Sequence, residues 1–228
     1  MLGFTTNTTE HLSVVVRDIC QASVVDDGVV FPAESVTAEV IRQRAEYVGV
    51  RVQFVAHSGK SVVPMQIDVG FADAITPAPE MIEYPVMLDF PAPRIRAYPR
   101  ETTIAEKFHA MADLGFDNTR MKDFYDLWQM LWLFTFDGDR LAGAIHATFE
   151  RRGREALLEE PVAFAEAFII STAKETQWKA FVRKNRLNDA PTWSVAVRAI
   201  RDWLTPILEP ARTQQPFNFT WHPESGWR

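Results

Sequence analysis

Four groups of side chains in this 228-residue sequence have the types and spacing to do chemistry. Asp68 lies inside the apolar run Met65-Gln66-Ile67-Asp68-Val69. On an extended strand it falls on the face not used by Ile67, so its carboxylate either meets solvent or lines a cleft where its charge is used. Alone it cannot hold a catalytic magnesium pair, because two-metal phosphoryl chemistry needs several oxygen ligands converging. Lys107 belongs to Glu101-Thr102-Thr103-Ile104-Ala105-Glu106-Lys107-Phe108-His109, one helical turn after Thr103 and one before Met111. Beside an apolar helix face a lysine snorkels to water, or, aimed into a cleft, offers phosphate oxygens a compact point charge. In Arg120-Met121-Lys122-Asp123-Phe124-Tyr125-Asp126-Leu127-Trp128, the two aspartates share a helix face and Lys122 stands four residues before Asp126. That is either a surface ion pair worth about 0.2–0.5 kcal/mol, or a pair of acids held near apolar neighbours by assigned partners. The fourth group is basic. Lys174, Lys179, Arg183, Lys184, Arg186, Arg198 and Arg201 face only Glu175 and Asp189 in the same stretch, with Trp178 and Trp193 interleaved. It reads either as a surface that tracks an RNA backbone and stacks a base, or as a solvated helix face with core tryptophans.

The elements that must position these groups change character along the chain. Residues 1–98 are valine-rich and alternate: Val48, Val50, Val52 and Phe54 take one strand face, Arg51 and Gln53 the other. Met65, Ile67 and Val69 alternate likewise with Gln66 and Asp68. A helix is expected before them, capped by Thr8 or Thr9 with Glu10 in its first turn, burying Leu12, Val15, Val16 and Ile19. Six of the fourteen prolines (77, 79, 85, 91, 93, 99) then exclude a regular helix and predict extended connections or edge strands. The domain boundary is placed there, between 1–98 and 99–228. Beyond it the apolar period is helical: Ile104, Phe108 and Met111; Phe124, Leu127, Leu131 and Trp132; Leu141, Ile145 and Phe149; and further segments near 162–171, 174–186 and 193–208. Strands first and helices second predict an α+β protein.

Composition narrows the function classes. With 47% hydrophobic residues, seven tryptophans and sixteen phenylalanines the chain has the material for a buried core. A net charge of −6 argues against a uniformly basic nucleic-acid coat, though a local basic patch remains open. One cysteine, Cys20, excludes an intramolecular disulfide, a zinc knuckle and an iron–sulfur cluster. The five histidines show no metal-ligand spacing, so packing or surface roles are expected for all of them. No apolar run reaches membrane-spanning length and the first residues lack a secretory pattern, so a cytoplasmic protein with no membrane partner is expected.

Taken together, several segments resemble the AbiEii/AbiGii family of nucleotidyltransferase toxins. The resemblance is carried by Asp26-Asp27-Gly28-Val29-Val30-Phe31, by Gln66-Ile67-Asp68-Val69-Gly70-Phe71-Ala72-Asp73, by Tyr98-Pro99-Arg100-Glu101-Thr102 through Ala105-Glu106-Lys107, and by Arg120 through Leu127. It implies a nucleotidyltransferase-fold mixed sheet, here partial, followed by a helical C-terminal domain that helps close the nucleotide site. It implies transfer of a nucleotide from an NTP, with Mg²⁺, to an acceptor such as a tRNA end, and a cognate antitoxin. Position by position, Asp68 resembles the third carboxylate and metal ligand, Lys107 the triphosphate-contacting lysine with Thr103 and Arg120 beside the nucleotide, and Asp123 with Asp126 the final acidic motif. A cation stabilising departing pyrophosphate fits that chemistry.

The family's Gly-Ser or Gly-Gly turn and its strand-borne Asp-x-Asp have no counterpart. The only Asp-x-Asp, Asp137-Gly138-Asp139, is expected in a polar turn before a helix. Met1-Leu2-Gly3-Phe4 resembles the residues that follow that strand in relatives, so the expectation is an N-terminally truncated member, inactive by itself. The alternative is a non-catalytic remnant that binds nucleotide, RNA or an antitoxin through its helical half. A shortened sheet would also favour homo-oligomers. A nuclease using Asp68 with Glu106-Lys107 ranks below both, because those two residues are adjacent on a helix rather than alternating on a strand.

Overall fold

Thr8 starts the first helix. Its hydroxyl oxygen accepts a hydrogen bond from the His11 backbone N–H (3.2 Å), and Glu10 adds a carboxylate in the first turn. Helix α1, Thr9–Cys20, buries Leu12, Ser13 and Val16. Val15 and Ile19, expected in the same stripe, are 37% and 60% exposed. The seated face follows Leu12, Val16 and Cys20, spaced by four, which pack on Val36, Val50, Val52 and Val69.

The computed structural model of the chain is α+β and describes residues 8–44, 47–71, 75–153, 157 and 159–228. It divides into two compact units, Met1–Asp73 and Ala74–Arg228. In the first unit, strands β1 (Val29–Val30), β2 (Thr37–Arg44) and β4 (Ser61–Val69) all pair antiparallel with the long strand β3 (Tyr47–Ser58). The β3–β4 register sets Val50 opposite Val69 and Val52 opposite Ile67, giving α1 an apolar floor. The alternate positions form the other face, where Arg51 stands opposite Asp68. The side chain of Val48 lies outside the described residues.

The proline-dense segment falls in the second unit and is extended, as its composition requires: β5 (Glu80–Glu83) and β6 (Arg94–Ala97) form an antiparallel hairpin. Seven further helical and strand elements build the core: α2 (Arg100–Leu114), α3 (Met121–Leu133), β7 (Phe136–Asp137), α4 (Gly138–Arg152), α5 (Glu166–Ile169), α6 (Thr172–Asn185) and α7 (Trp193–Thr213). The chain ends in the hairpin β8 (Thr220–His222) and β9 (Gly226–Trp227). Phe108, Phe124, Phe149, Phe168, Trp178, Trp193 and Trp203 are buried at the centre. Phe124 meets Trp193 edge-on with ring centroids 4.8 Å apart, a geometry worth about 0.5–1.5 kcal/mol beyond area burial. Trp132, expected on the buried stripe of α3, is 51% exposed, because Leu127 and Leu131 already fill that side.

The Asp137-Gly138-Asp139 segment has structural work. Asp137 ends β7 and caps α4, accepting from the Arg140 N–H at 2.9 Å. Gly138 donates its N–H to the Phe219 carbonyl at 2.8 Å, and Asp139 accepts from the Phe217 N–H, so the C-terminal segment docks on the start of α4. A Cβ on Gly138 would stand 2.6 Å from the carbonyl oxygens of Phe217 and Phe219. Gly138→Ala is therefore expected to destabilise the protein by about 1–3 kcal/mol, read as a lowered urea midpoint. An unchanged midpoint would contradict this close approach.

Candidate functional site

Helix α2 turns Ile104, Ala105, Phe108 and Met111 into the core, which leaves Lys107 on its flank. Helix α3 buries Met121, Phe124, Leu127 and Leu131, and the residues beside that stripe, Asp123 and Asp126, face α2. The three side chains converge. Lys107 Nζ lies 2.7 Å from Asp123 Oδ1 and 2.8 Å from Asp126 Oδ2, and its side chain is only 18% exposed. Lys122 joins from the solvent side, 2.6 Å from the same Asp126 oxygen. Burial works against the charge on Lys107, but hydrogen bonds and attraction from Asp123 and Asp126 outweigh it and hold the ammonium above the usual lysine range. Lys107 is thus a persistent cation rather than a base or nucleophile. An ammonium has three donors; the two aspartates use two.

Thr103 lies one turn before Lys107, with its hydroxyl turned toward the Pro99 carbonyl (3.5 Å). Arg120 immediately precedes α3; its side chain is exposed, and its backbone N–H donates to Asn118 Oδ1 at 2.9 Å. Neither side chain hydrogen-bonds to Lys107 among the described residues. Asp68 belongs to the first unit. Arg51 grips both its oxygens, Nε to Oδ1 at 2.8 Å and Nη2 to Oδ2 at 3.0 Å, and Gln66 adds an amide donor at 3.1 Å. The Arg51 hydrogen bonds, opposed by partial burial, hold the Asp68 carboxyl below the usual carboxylate range.

The basic stretch sorts into consumed and free cations. Lys174 is buried and donates to the Asn118 carbonyl at 2.7 Å, with its ammonium 5.5 Å from the Phe168 ring centroid. Burial pushes its pKa down. Lys179 pairs with Glu175, Arg198 with Glu166 and Arg201 with Asp202. Trp178 and Trp193 are buried in the core and are not free to stack a base. Arg183, Lys184 and Arg186 are exposed. His109, as a packing histidine, sits edge-on against Phe149.

The model of the family "Nucleotidyl transferase AbiEii toxin, Type IV TA system" matches residues 1–205. The chain belongs to the AbiEii nucleotidyl transferase toxin family. No curated relative and no solved structure matches it. The match spans both units, and it makes the chain a toxin-like nucleotidyltransferase of a toxin–antitoxin class, for which a cognate antitoxin partner is expected. No helix among the described residues is long and apolar enough to cross a membrane.

Mg²⁺ is the metal that the sequence resemblance implies. Among the described residues no group of three or more His, Cys, Asp or Glu side chains gathers to hold a metal ion, and both oxygens of Asp68 already accept from Arg51. These residues do not fit a two-metal centre. Glu106 turns to Arg152 (2.8 Å) while its neighbour Lys107 turns to α3, so the two do not form a nuclease-like pair.

Two contributors were missed in the sequence. The Arg51 fork was legible: a two-residue turn at Gly59-Lys60 sets Ser58 opposite Ser61 and, counting back, Arg51 opposite Asp68. The Asn118 junction was not, since its Nδ2 reaches the Ala110 carbonyl and its own carbonyl reaches Lys174, a partner 56 residues away.

Lys107→Met leaves two acids without their shared cation and is expected to cost about 1.5–3 kcal/mol, measured by urea titration. Because the folded-state pKa of Lys107 is raised, its contribution is fully present below the ordinary lysine value and lost only as pH climbs past it. Wild-type stability should carry an alkaline decline above about pH 10.4 that Lys107→Met lacks. Identical alkaline limbs would refute the assignment.

Proposed function

We propose that the chain handles the triphosphate of an NTP in nucleotidyl transfer, with Lys107 as the group that contacts it. The observation carrying this reading is the ammonium of Lys107, positioned by Asp123 and Asp126 and held charged, with two of its three N–H groups used by those carboxylates. In the transfer an acceptor oxygen bonds to the α-phosphorus while the bond to the bridging oxygen of pyrophosphate breaks. Negative charge grows on the departing group, and a preorganised cation next to it lowers the barrier. Asp123 and Asp126 act through Lys107 as positioning residues. Thr103, one turn before Lys107 on α2, and Arg120, immediately before α3, are assigned to the nucleotide. Asp68, in the first unit, is assigned to the same reaction by its motif alone, and the Arg51 hydrogen bonds favour its ionised form. The acceptor is an RNA, with tRNA as the leading case.

The test is equilibrium binding of a labelled NTP by the full chain. Lys107→Met is expected to weaken binding by about tenfold or more, the loss of one charge-assisted hydrogen bond. Lys107→Arg should retain part of it, and Asp123→Asn should fall between. NTP affinity equal to wild type in Lys107→Met would overturn the reading.

A further inference from the structure

Seven basic residues between 174 and 201 were candidates for an anionic partner, and the structure removes four of them: Lys174 is buried against a carbonyl, and Lys179, Arg198 and Arg201 each have an acid. The remaining three, Arg183, Lys184 and Arg186, fall within four residues at the C-terminal end of α6, exposed and without an acidic partner among the described residues. The nearby acids on and after the helix are committed elsewhere, Glu175 to Lys179 and Asp189 to Gln129 (3.4 Å). Arg186 occupies a left-handed backbone position (φ 55°, ψ 41°) that closes the helix, where its N–H reaches the Arg183 carbonyl. Glycine most readily adopts this conformation, a common way for a helix to end.

Next to this end lies an aromatic group. Phe181, one turn before Lys184, packs 6.0 Å from Tyr125 between ring centroids, and Tyr125 packs 5.8 Å from Trp128; all three are half-buried. Tyr125 and Lys122 share a face of α3, beside Asp126 of the lysine site. Guanidinium forks match phosphate oxygens, and rings beside such cations favour a stacked strand over an acidic protein surface. The geometry points to the end of α6 as the surface that docks the phosphate backbone of a single-stranded RNA segment, so that the acceptor approaches across α3. This inference rests on the nucleotidyl-transfer reading and names the surface that reading needs for its acceptor.

The experiment is fluorescence anisotropy with a short labelled single-stranded RNA, repeated over a salt series. The variant Arg183→Gln/Lys184→Gln/Arg186→Gln is expected to lose at least about tenfold in affinity. Its slope of log K against log salt should flatten by about 2, three phosphate contacts at about 0.7 each on a single strand. The control variant Lys179→Gln/Arg198→Gln/Arg201→Gln, which removes acid-paired cations of the same stretch, should bind within about threefold of wild type on this account. Equal losses in both variants, or an unchanged slope in the first, would overturn the proposal. So would binding to phosphatidylglycerol vesicles that exceeds RNA binding and disappears in the same variant, since that result assigns the surface to lipid. NTP binding separates the two readings: the first variant should keep wild-type NTP affinity. If the slope changes as expected while Lys107→Met leaves NTP binding intact, the triphosphate reading fails and the RNA surface stands.

Discussion

The ammonium of Lys107 between Asp123 and Asp126 is the constraint on which the second unit's polar surface depends. A lysine this sheltered loses hydration, and the loss is offset only if both carboxylates stay within hydrogen-bond reach. That requirement fixes the rotation of α2 and α3 about their own axes. A turn of either helix by one residue would carry the charged flank into the core and bring an apolar residue out. The ion trio and the apolar stripes are two statements of one packing solution, and neither is satisfied alone.

Lys174 shows what happens when the same cost is met differently. It too is buried, but its ammonium donates to the Asn118 carbonyl beside the Phe168 ring, and burial outweighs the attraction of Asp117, so its pKa is pushed down where that of Lys107 is held up. A carbonyl dipole fixes geometry without adding a net charge. Lys174 accordingly serves as a clasp: it holds the loop whose Asn118 side chain receives the Arg120 N–H, and that loop sets where α3 begins. The start of α3 in turn decides where Asp123 falls, so a buried contact on α6 reaches the lysine site through one loop.

Much of this was legible in the residues because it follows from period. The apolar spacing of 104–111, 124–131 and 141–149 marks the helices of the second unit, and alternation marks β3 and β4. The candidate trio was legible as types and spacing on two separate segments. Their meeting was not, since helical period states which face a residue occupies and not which helix that face will meet. The errors have the same origin. Val15, Ile19 and Trp132 lie within a helical step of buried positions, and only the width of the surface beneath each helix decides that they face out. The tryptophans of the basic stretch were read correctly only in the alternative that made them core, because a Trp among lysines has the same sequence signature whichever way it points.

The two ion pairs named as functional candidates differ in what they leave open. In Arg51–Asp68 the fork of the guanidinium meets both oxygens of the carboxylate, so each group's strongest directions are already used, and the pair is closed unless a ligand displaces one partner. Lys107 is an open arrangement: three donors, two acceptors, one direction remaining. With Lys122 on Asp126, the two lysines and two aspartates sum to zero. A near-neutral site does not attract a polyphosphate by its long-range field. Whatever selectivity this centre has for a phosphate oxygen therefore comes from the direction of a single N–H, which is why the two aspartates that aim it matter as much as the lysine that carries it.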